Sequence, residues 1–223
     1  MAPELKLLSL WASPYCMRVA IALNMKKVQC EVIEEDLRNK SDLLIKLNPV
    51  HKKVPVLIHN GKPICESLII VEYVDEVWPE DGTRQAILPK DAYCRAMERF
   101  WADFIDKKIF PPAYFALRKQ GDEQQKAIAD FYESYAILEG ALAKVSEKPF
   151  FGGKKLNFVD VILAPLACWL LALEELAGIN VNKCESYPRL CEYFKAVREH
   201  PAVANVLPDD KKESEHFRKL RNL

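Results

Sequence analysis

The sequence has little glycine, and its cysteines do not form the pairs that a disulfide framework or a metal site requires. Only seven of the 223 residues are glycine, whereas average usage would give about 16, and this favours a helix-rich chain with few tight turns. The seven cysteines include no Cys-x-x-Cys pair, and the four histidines do not lie at zinc-ligand spacing from them. We therefore expect reduced thiols and no metal ion.

The chain also has neither an excess of one charge nor a long apolar run. Its 32 basic and 32 acidic residues cancel, which argues against a nucleic-acid-binding surface, where Lys and Arg are concentrated. The longest apolar stretch, 161–173, is too short to cross a bilayer, and the N-terminus lacks the basic and apolar regions of a signal peptide. We expect a globular cytosolic protein with no nucleic-acid or membrane partner.

The first 78 residues alternate between strand and helix patterns. Strand patterns occupy four segments: 5–11, 29–34, 54–59 and 62–65. Ser13-Pro14 is a helix start signal, and a short helix is predicted over 43–47. Asn60-Gly61 predicts a hairpin turn, and Glu66-Ser67 opens a further helix. The predicted order is β-α-β-α-β-β-α, a small α/β layer structure.

From residue 90 onward the pattern is helical almost throughout. Helices are predicted over roughly five segments: 90–119, 123–146, 158–176, 187–199 and 209–221. Pro111-Pro112 should bend or end the first of them, and the charged last segment is explained most simply as a solvated amphipathic cover. We predict an α/β domain over 1–78, a linker over 79–89 and an all-helical domain over 90–223.

Ser13-Pro14-Tyr15-Cys16 lies where the first strand meets the first helix. A helix N-terminus offers unpaired N–H groups and a positive dipole to an anion, and a thiolate suits that place. An ordinary helix cap is the simpler explanation of Ser13 taken alone, and both interpretations stay open. Because serine stands at position 13, Cys16 has no second thiol with which to run a two-thiol exchange.

Three further sets of residues each have a structural and a functional interpretation. Val54-Pro55 is either an ordinary edge-strand start or a place where free N–H and C=O groups pair with an extended peptide. Glu66-Ser67 is either a helix cap or a set of donors for a ligand carboxylate. Lys40, Lys52 and Lys53 are either solvated surface lysines or a cationic rim.

These residues, in this order, resemble the glutathione transferases, and most closely the plant tau class. The resemblance covers the whole chain and is carried by SPYCMRVAIAL, LNPVHKKVPVLIHNGKPICESLIIVEYVDEVW, FWADFIDKK and the weaker NFVDVILAP. It implies a thioredoxin-like glutathione-binding domain followed by an all-helical domain that supplies most of the second-substrate pocket. It also implies a homodimer.

By position, the resemblance implies that Ser13 is catalytic and donates a hydrogen bond to the glutathione sulfur. A free thiol, with a pKa of about 8.5, is only a few per cent ionised at neutral pH, so stabilising the thiolate activates it. Lys40 and Lys53 are implied to bind the glycine carboxylate, Val54 the cysteinyl backbone, and Glu66 and Ser67 the γ-glutamyl end. Glutathione is then a co-substrate, and we expect no bound cofactor.

The second-substrate pocket is less sharply defined by the resemblance. Its implied apolar walls are Tyr15, Phe110, Tyr114, Trp169 and Phe217. Plain core packing explains each of these side chains equally well. Asp103, in FWADFIDKK, is implied to reach toward the site of the partner subunit.

The sequence therefore predicts an enzyme that conjugates glutathione to hydrophobic electrophiles, such as aryl halides, herbicides or lipid-peroxidation products, with hydroperoxide reduction as a side activity. One alternative is a non-catalytic carrier of flavonoids or fatty-acid derivatives. The other is a thiol oxidoreductase, against which Ser13 counts because mixed-disulfide chemistry requires a thiolate there. Cys16 keeps that alternative open, and we expect it to be partly buried.

Overall fold

The computed structural model describes residues 4–181 and 185–221. The chain divides into two compact units, Met1–Leu88 and Pro89–Leu223. Cys184 lies outside the described residues, and the other six cysteines are free thiols. No helix within the described ranges is both long and apolar enough to cross a membrane.

The first unit is a four-stranded mixed sheet with three helices. Its elements are β1 (Leu5–Ser9), α1 (Pro14–Met25), β2 (Glu31–Glu34), α2 (Asp42–Leu47), β3 (Val56–His59), β4 (Lys62–Cys65) and α3 (Ser67–Val77). The strand order is β2-β1-β3-β4, in which only β1 and β2 are parallel. This is the predicted order of strands and helices, and it forms the thioredoxin-like layer structure.

Local turns set the ends of these strands. Asn60 and Gly61 have positive φ angles of 50° and 76°, the type I′ geometry of a two-residue hairpin turn between β3 and β4. The predicted first strand was too long, because the C=O of Leu10 accepts a 2.9 Å hydrogen bond from the N–H of Ser13. The chain therefore leaves the sheet after Ser9 and turns into α1.

The second unit is helical. Its elements are α4 (Ala92–Lys108), α5 (Phe110–Arg118), α6 (Gly121–Ala143), α7 (Phe158–Leu163), a 3-10 helix (Ala164–Trp169), α8 (Leu170–Ala177), α9 (Pro188–Glu199), α10 (Pro201–Ala204) and α11 (Asp210–Arg221). Together with the sheet of the first unit, this gives the predicted class of an α/β domain followed by an all-α domain.

Proline divides two segments that the periodicity predicted as single helices. The segment 90–119 is split at Ile109 into α4 and α5, as Pro111-Pro112 led us to expect. The prediction of one helix over 158–176 was wrong, since a 3-10 helix separates α7 from α8. Pro165 lies in that 3-10 helix and has no N–H group to donate to the preceding turn.

A buried carboxylate fixes the loop before α7. Asn157 and Asp160 form a capping box at the start of α7. Asp160 also accepts 2.9 Å hydrogen bonds from the N–H groups of Phe151 and Gly152. Position 152 must be glycine for this arrangement, because a Cβ there would lie 2.2 Å from the C=O oxygen of Lys155.

Candidate active site

Three of the segments predicted to bind glutathione meet at one edge of the sheet. Leu8 of β1 pairs with Val56 of β3, and Val56 pairs with the last residue of β4. Because Ser13 follows β1, Val54 precedes β3 and Glu66 follows β4, all three lie at the edge that this register defines. Strand pairing thus brings together residues that are up to 53 positions apart.

Ser13 fits both of the interpretations that the sequence left open. It is the N-cap of α1, and its Oγ accepts a 3.3 Å hydrogen bond from the N–H of Cys16. A hydroxyl oxygen that accepts a hydrogen bond retains its own proton as a donor. Ser13 therefore has a proton to offer at a helix N-terminus, where the dipole favours an anion.

Cys16 is part of the core of the first unit. Its side chain is 2% exposed, so the prediction of partial burial was wrong; it packs against Leu8, Leu44 and Val54. Its Sγ accepts a hydrogen bond from the N–H of Leu10 at 3.4 Å, and burial raises the pKa of the thiol. A buried thiol that resists ionisation is a poor nucleophile, which weakens the oxidoreductase alternative.

The turn between α2 and β3 positions Val54. The Val54-Pro55 peptide bond is cis, and Val54 takes part in none of the backbone hydrogen bonds that the described residues form outside helices and strands. The buried side chain of Asn48 organises this turn, since its Nδ2 donates to the C=O of Lys53 at 2.9 Å and its Oδ1 accepts from the N–H of His51 at 3.2 Å. The sequence interpretation missed Asn48, for which the only signal was its place after α2.

Glu66 and Ser67 begin α3 in different environments. Glu66 has φ 71° and ψ 116° without a capping bond, which strains a non-glycine backbone, and its Oε1 lies 3.8 Å from Nε2 of the exposed His51. Ser67 is buried, and its Oγ accepts a 3.2 Å hydrogen bond from the fully buried Arg18. Arg18 was also missed, although a cation within the apolar pattern of α1 was a visible signal.

Lys40 and Lys53 lie at the two ends of the α2 segment. Lys40 precedes Ser41, the N-cap of α2, and Lys53 directly precedes Val54. Both side chains are exposed, and neither forms an ion pair with any residue in the part of the chain that the structure covers. Each ammonium group is available to an anionic ligand. Lys52, beside them, has a positive φ of 52°.

Four of the five predicted pocket residues form one aromatic cluster within the second unit. Trp169 lies at its centre, with its ring centroid 5.5 Å from that of Phe110 and 5.1 Å from that of Phe217, both in edge-on geometry. Tyr114 lies 6.4 Å from Trp169 and 6.3 Å from Phe217. Tyr114 is 39% exposed, whereas the other three are buried. Hereafter these four side chains are called the aromatic cluster.

The other two residues implied by the resemblance lie outside this cluster. Tyr15, on α1 of the first unit, is 36% exposed, and the guanidinium carbon of Arg18 lies 4.7 Å from its ring centroid. Asp103, on α4, is exposed and pairs with Lys107 at 2.6 Å. Among the described residues, no three His, Cys, Asp or Glu side chains are grouped so as to hold a metal ion.

A buried carboxyl group lies against the aromatic cluster. Oε1 of Glu213, on α11, accepts a 3.0 Å hydrogen bond from Nε1 of Trp169. Glu213 is fully buried, and this burial raises the pKa of its carboxyl group to about 7. The sequence interpretation of this segment as a solvated amphipathic cover placed Phe217 in the pocket but missed Glu213, which is buried on the same face of α11 as Ser214 and Phe217.

Comparisons with family models and with curated proteins all find the same protein family. The family model of the glutathione S-transferase N-terminal domain matches residues 3–76, and that of the C-terminal domain matches residues 100–201. Probable glutathione S-transferase parC of Nicotiana tabacum is 44% identical, over 98% of this chain and 96% of that protein. Glutathione S-transferase U19 of Arabidopsis thaliana is also 44% identical, over 99% of this chain and 97% of that protein.

Solved structures agree with these sequence matches. The tau-class glutathione S-transferase MiGSTU from mango, Mangifera indica, has a TM-score of 0.89 and 43% identity, covering 97% of this chain and 98% of that one. Rice GST1, solved in complex with glutathione, has a TM-score of 0.90 and 38% identity, covering 100% of this chain and 98% of that one. The similarity therefore spans both units.

Proposed function

Because the chain belongs to the glutathione S-transferase family and is similar to tau-class members over its full length, we propose that it conjugates the thiol of reduced glutathione to hydrophobic electrophiles. The electrophile class includes aryl halides, herbicides and lipid-peroxidation products. The observation that carries this proposal is Ser13, a hydroxyl donor at the N-terminus of α1, at the same sheet edge as Val54 and Glu66.

In the proposed reaction, Ser13 stabilises the thiolate of bound glutathione and keeps its own proton. Its hydroxyl donates to the sulfur while Oγ continues to cap α1, and both the hydrogen bond and the helix dipole favour the charged form. The thiol proton leaves to solvent. A sulfur lone pair then forms the S–C bond with an aryl halide, and the halide departs with the electrons of the C–X bond.

The remaining residues of the first unit would bind the rest of glutathione. Each has the chemistry that its assigned contact requires: Lys40 and Lys53 for the glycine carboxylate, Val54 for the cysteinyl N–H and C=O, and Glu66 and Ser67 for the γ-glutamyl ammonium and carboxylate. Because Ser67 Oγ already accepts a hydrogen bond from Arg18, its proton is directed to another acceptor.

The aromatic cluster would supply the walls of the electrophile pocket, together with Tyr15. We assign glutathione binding to residues 1–78 and the electrophile to the domain from residue 90 onward, with 79–89 as the linker. Family membership further supports a cytosolic homodimer in which Asp103 approaches the partner subunit's site. Reduction of organic hydroperoxides would use the same activated thiolate.

The test is glutathione conjugation to 1-chloro-2,4-dinitrobenzene by the wild type, Ser13→Ala and Ser13→Thr. Loss of a hydrogen bond to a charged sulfur should lower kcat about 10- to 100-fold in Ser13→Ala. The Kd for glutathione should change less than kcat, and Ser13→Thr should recover part of the rate because it keeps a hydroxyl. Titration of the bound thiol by its ultraviolet absorbance should show a higher pKa in Ser13→Ala.

Cys16→Ala is the matched control for the oxidoreductase alternative. If Cys16→Ala loses the activity while folded Ser13→Ala keeps it, the assignment of Ser13 is wrong. If the wild type binds hydrophobic ligands tightly but shows no turnover with any electrophile class, the carrier function replaces the enzymatic one.

A further inference from the structure

Glu213 is an unusual residue to find against the aromatic cluster. Its side chain is fully buried, and carboxyl groups are rarely buried without a cationic partner. One oxygen, Oε1, accepts the hydrogen bond from Nε1 of Trp169. The other, Oε2, is buried and has no hydrogen-bond partner among the residues that the structure describes.

This geometry favours one protonation state. In the ionised form, Oε2 would carry negative charge without a donor, which is costly away from water. In the neutral form, the proton resides on Oε2, and Oε1 remains free to accept from the indole. Burial accordingly raises the pKa of Glu213 to about 7, so that both forms are populated near neutral pH.

The charged and titratable groups around Glu213 do not neutralise it. The groups on α11 itself include Asp210, Lys212 and Arg218, and the neighbouring elements carry Cys168 on the 3-10 helix, Glu175 on α8, Arg198 on α9 and Arg118, the one charged residue of α5. Burial is the largest cause of the raised pKa of Glu213; the hydrogen bond from Trp169 and the charge of Lys212 lower that pKa, and Asp210 raises it. Arg198 pairs with Asp210, and Arg218 pairs with Glu175.

Trp169 is the side chain whose orientation decides the shape of the aromatic cluster. Its indole contacts Phe110, Tyr114 and Phe217, which come from two different helices. Its one hydrogen-bonding group, Nε1–H, donates to Glu213. A rotation of the indole would break that bond and all three ring contacts at once.

We propose that Glu213 is a positioning residue for the electrophile pocket, and that its neutral carboxyl group holds the indole of Trp169 in the orientation that the aromatic cluster requires. This rests on the proposed function, in which the aromatic cluster binds the electrophile. Ionisation of Glu213 draws the carboxylate toward water, loosens α11 against Trp169 and weakens electrophile binding as the pH rises through about 7.

The test compares Glu213→Leu and Glu213→Gln with the wild-type full chain. At saturating glutathione, Glu213→Leu should raise the KM for 1-chloro-2,4-dinitrobenzene about five- to tenfold, because Nε1–H of Trp169 is left buried without an acceptor. The KM for glutathione should stay within about twofold. Glu213→Gln keeps the acceptor and should restore the electrophile KM, without the wild-type increase above pH 7. Glu215→Leu, exposed on the same helix, is the matched control.

A second readout does not require catalysis. In protein labelled with fluorotryptophan, the chain shows four resonances, of which that of Trp169 is identified by its loss in Trp169→Phe. The Trp169 resonance should titrate near pH 7 in the wild type, should not titrate in Glu213→Gln and should shift in Glu213→Leu. If no variant turns over, the proposed function fails, and the resonance still decides the positioning role.

Three results would overturn the inference. One is an unchanged electrophile KM and an unchanged Trp169 resonance in Glu213→Leu. Another is an equal increase in both KM values together with a lower melting temperature, which indicates a merely structural role. The third is a wild-type Trp169 resonance that does not respond to pH.

Discussion

A buried ion pair in the first unit and two buried carboxyl groups in the second unit differ in how their charge is neutralised. In the first unit, the ammonium group of Lys26 lies 2.5 Å from a carboxylate oxygen of Asp75, and both side chains are buried. Lys26 also donates to the C=O of Gln85, and Asp75 accepts hydrogen bonds from the N–H groups of Ile87 and Leu88. This pair thus joins the ends of α1 and α3 to the chain segment that closes the unit.

In the second unit, the carboxyl groups of Asp160 and Glu213 are fully buried and form no ion pair with any residue that the structure describes. Asp160 accepts hydrogen bonds from the backbone N–H groups of Phe151, Gly152 and Asn157, and Glu213 accepts one from the indole N–H of Trp169. Burial raises the pKa of each carboxyl group to about 7. The Lys26–Asp75 pair is thus neutralised internally, whereas a proton neutralises Asp160 and Glu213, so we expect these two carboxyl groups to make the stability of the second unit depend on pH.

The largest expected effect comes from breaking the pair in the first unit. Lys26→Met leaves the buried Asp75 without its counterion, and we expect the free energy of unfolding to fall by about 3–5 kcal/mol. Urea denaturation measures this, and Lys27→Met, at the exposed neighbouring position, is the matched control. A loss below about 1 kcal/mol would mean that the first unit does not depend on paired charge.

A smaller effect should appear in the second unit as a dependence on pH. Because the pKa of Glu213 is raised from 4.5 to about 7 in the folded state, its contribution to stability is present at low pH and is lost as the pH rises through about 7. Between about pH 5 and about pH 8, the wild type should lose about 2 kcal/mol more stability than Glu213→Gln. Urea denaturation at both pH values measures this, with Glu215→Gln as the control. If the wild type and Glu213→Gln lose the same amount of stability between the two pH values, Glu213 does not make the second unit depend on pH.

The smallest effect concerns an exposed charge, which should act in binding and not in stability. Lys53→Met removes an exposed cation that forms no ion pair with any described residue, and we expect the KM for glutathione to rise about threefold, because solvent and salt screen contacts of exposed charges. The melting temperature should not change. The control is Lys52→Met. The difference in the KM for glutathione between the wild type and Lys53→Met should decrease in high salt. A large loss of stability in Lys53→Met would show that this lysine stabilises the fold.

The fold was largely predictable because its signals are local. The hairpin at Asn60-Gly61 and the helix start at Ser13-Pro14 depend on backbone preferences of the residues themselves. The errors in the predicted helices and strands also arose from interactions between residues close together in the chain. Periodicity alone does not show that Pro165 changes the helix type, or that a hydrogen bond to Leu10 ends β1 before position 11.

The candidate site was predictable where a resemblance named its residues, but its supporting side chains were not. Arg18 and Ser67 are 49 positions apart, and Trp169 and Glu213 are 44 apart. In a sequence, Arg18 and Glu213 look like charges on amphipathic helices. Only packing removes them from water and places Arg18 against Ser67 and Glu213 against Trp169.

The sequence by itself therefore determined the element order of the first unit, the two-domain class and the residues with the chemistry to bind a thiol-bearing peptide. The tertiary structure decided that Ser13, Val54 and Glu66 share one sheet edge, that Cys16 is a core thiol, and that Glu213 lies buried against Trp169. The physical reason is that backbone propensity acts between neighbours, whereas burial, and with it the ionisation of a side chain, depends on residues far away in the chain.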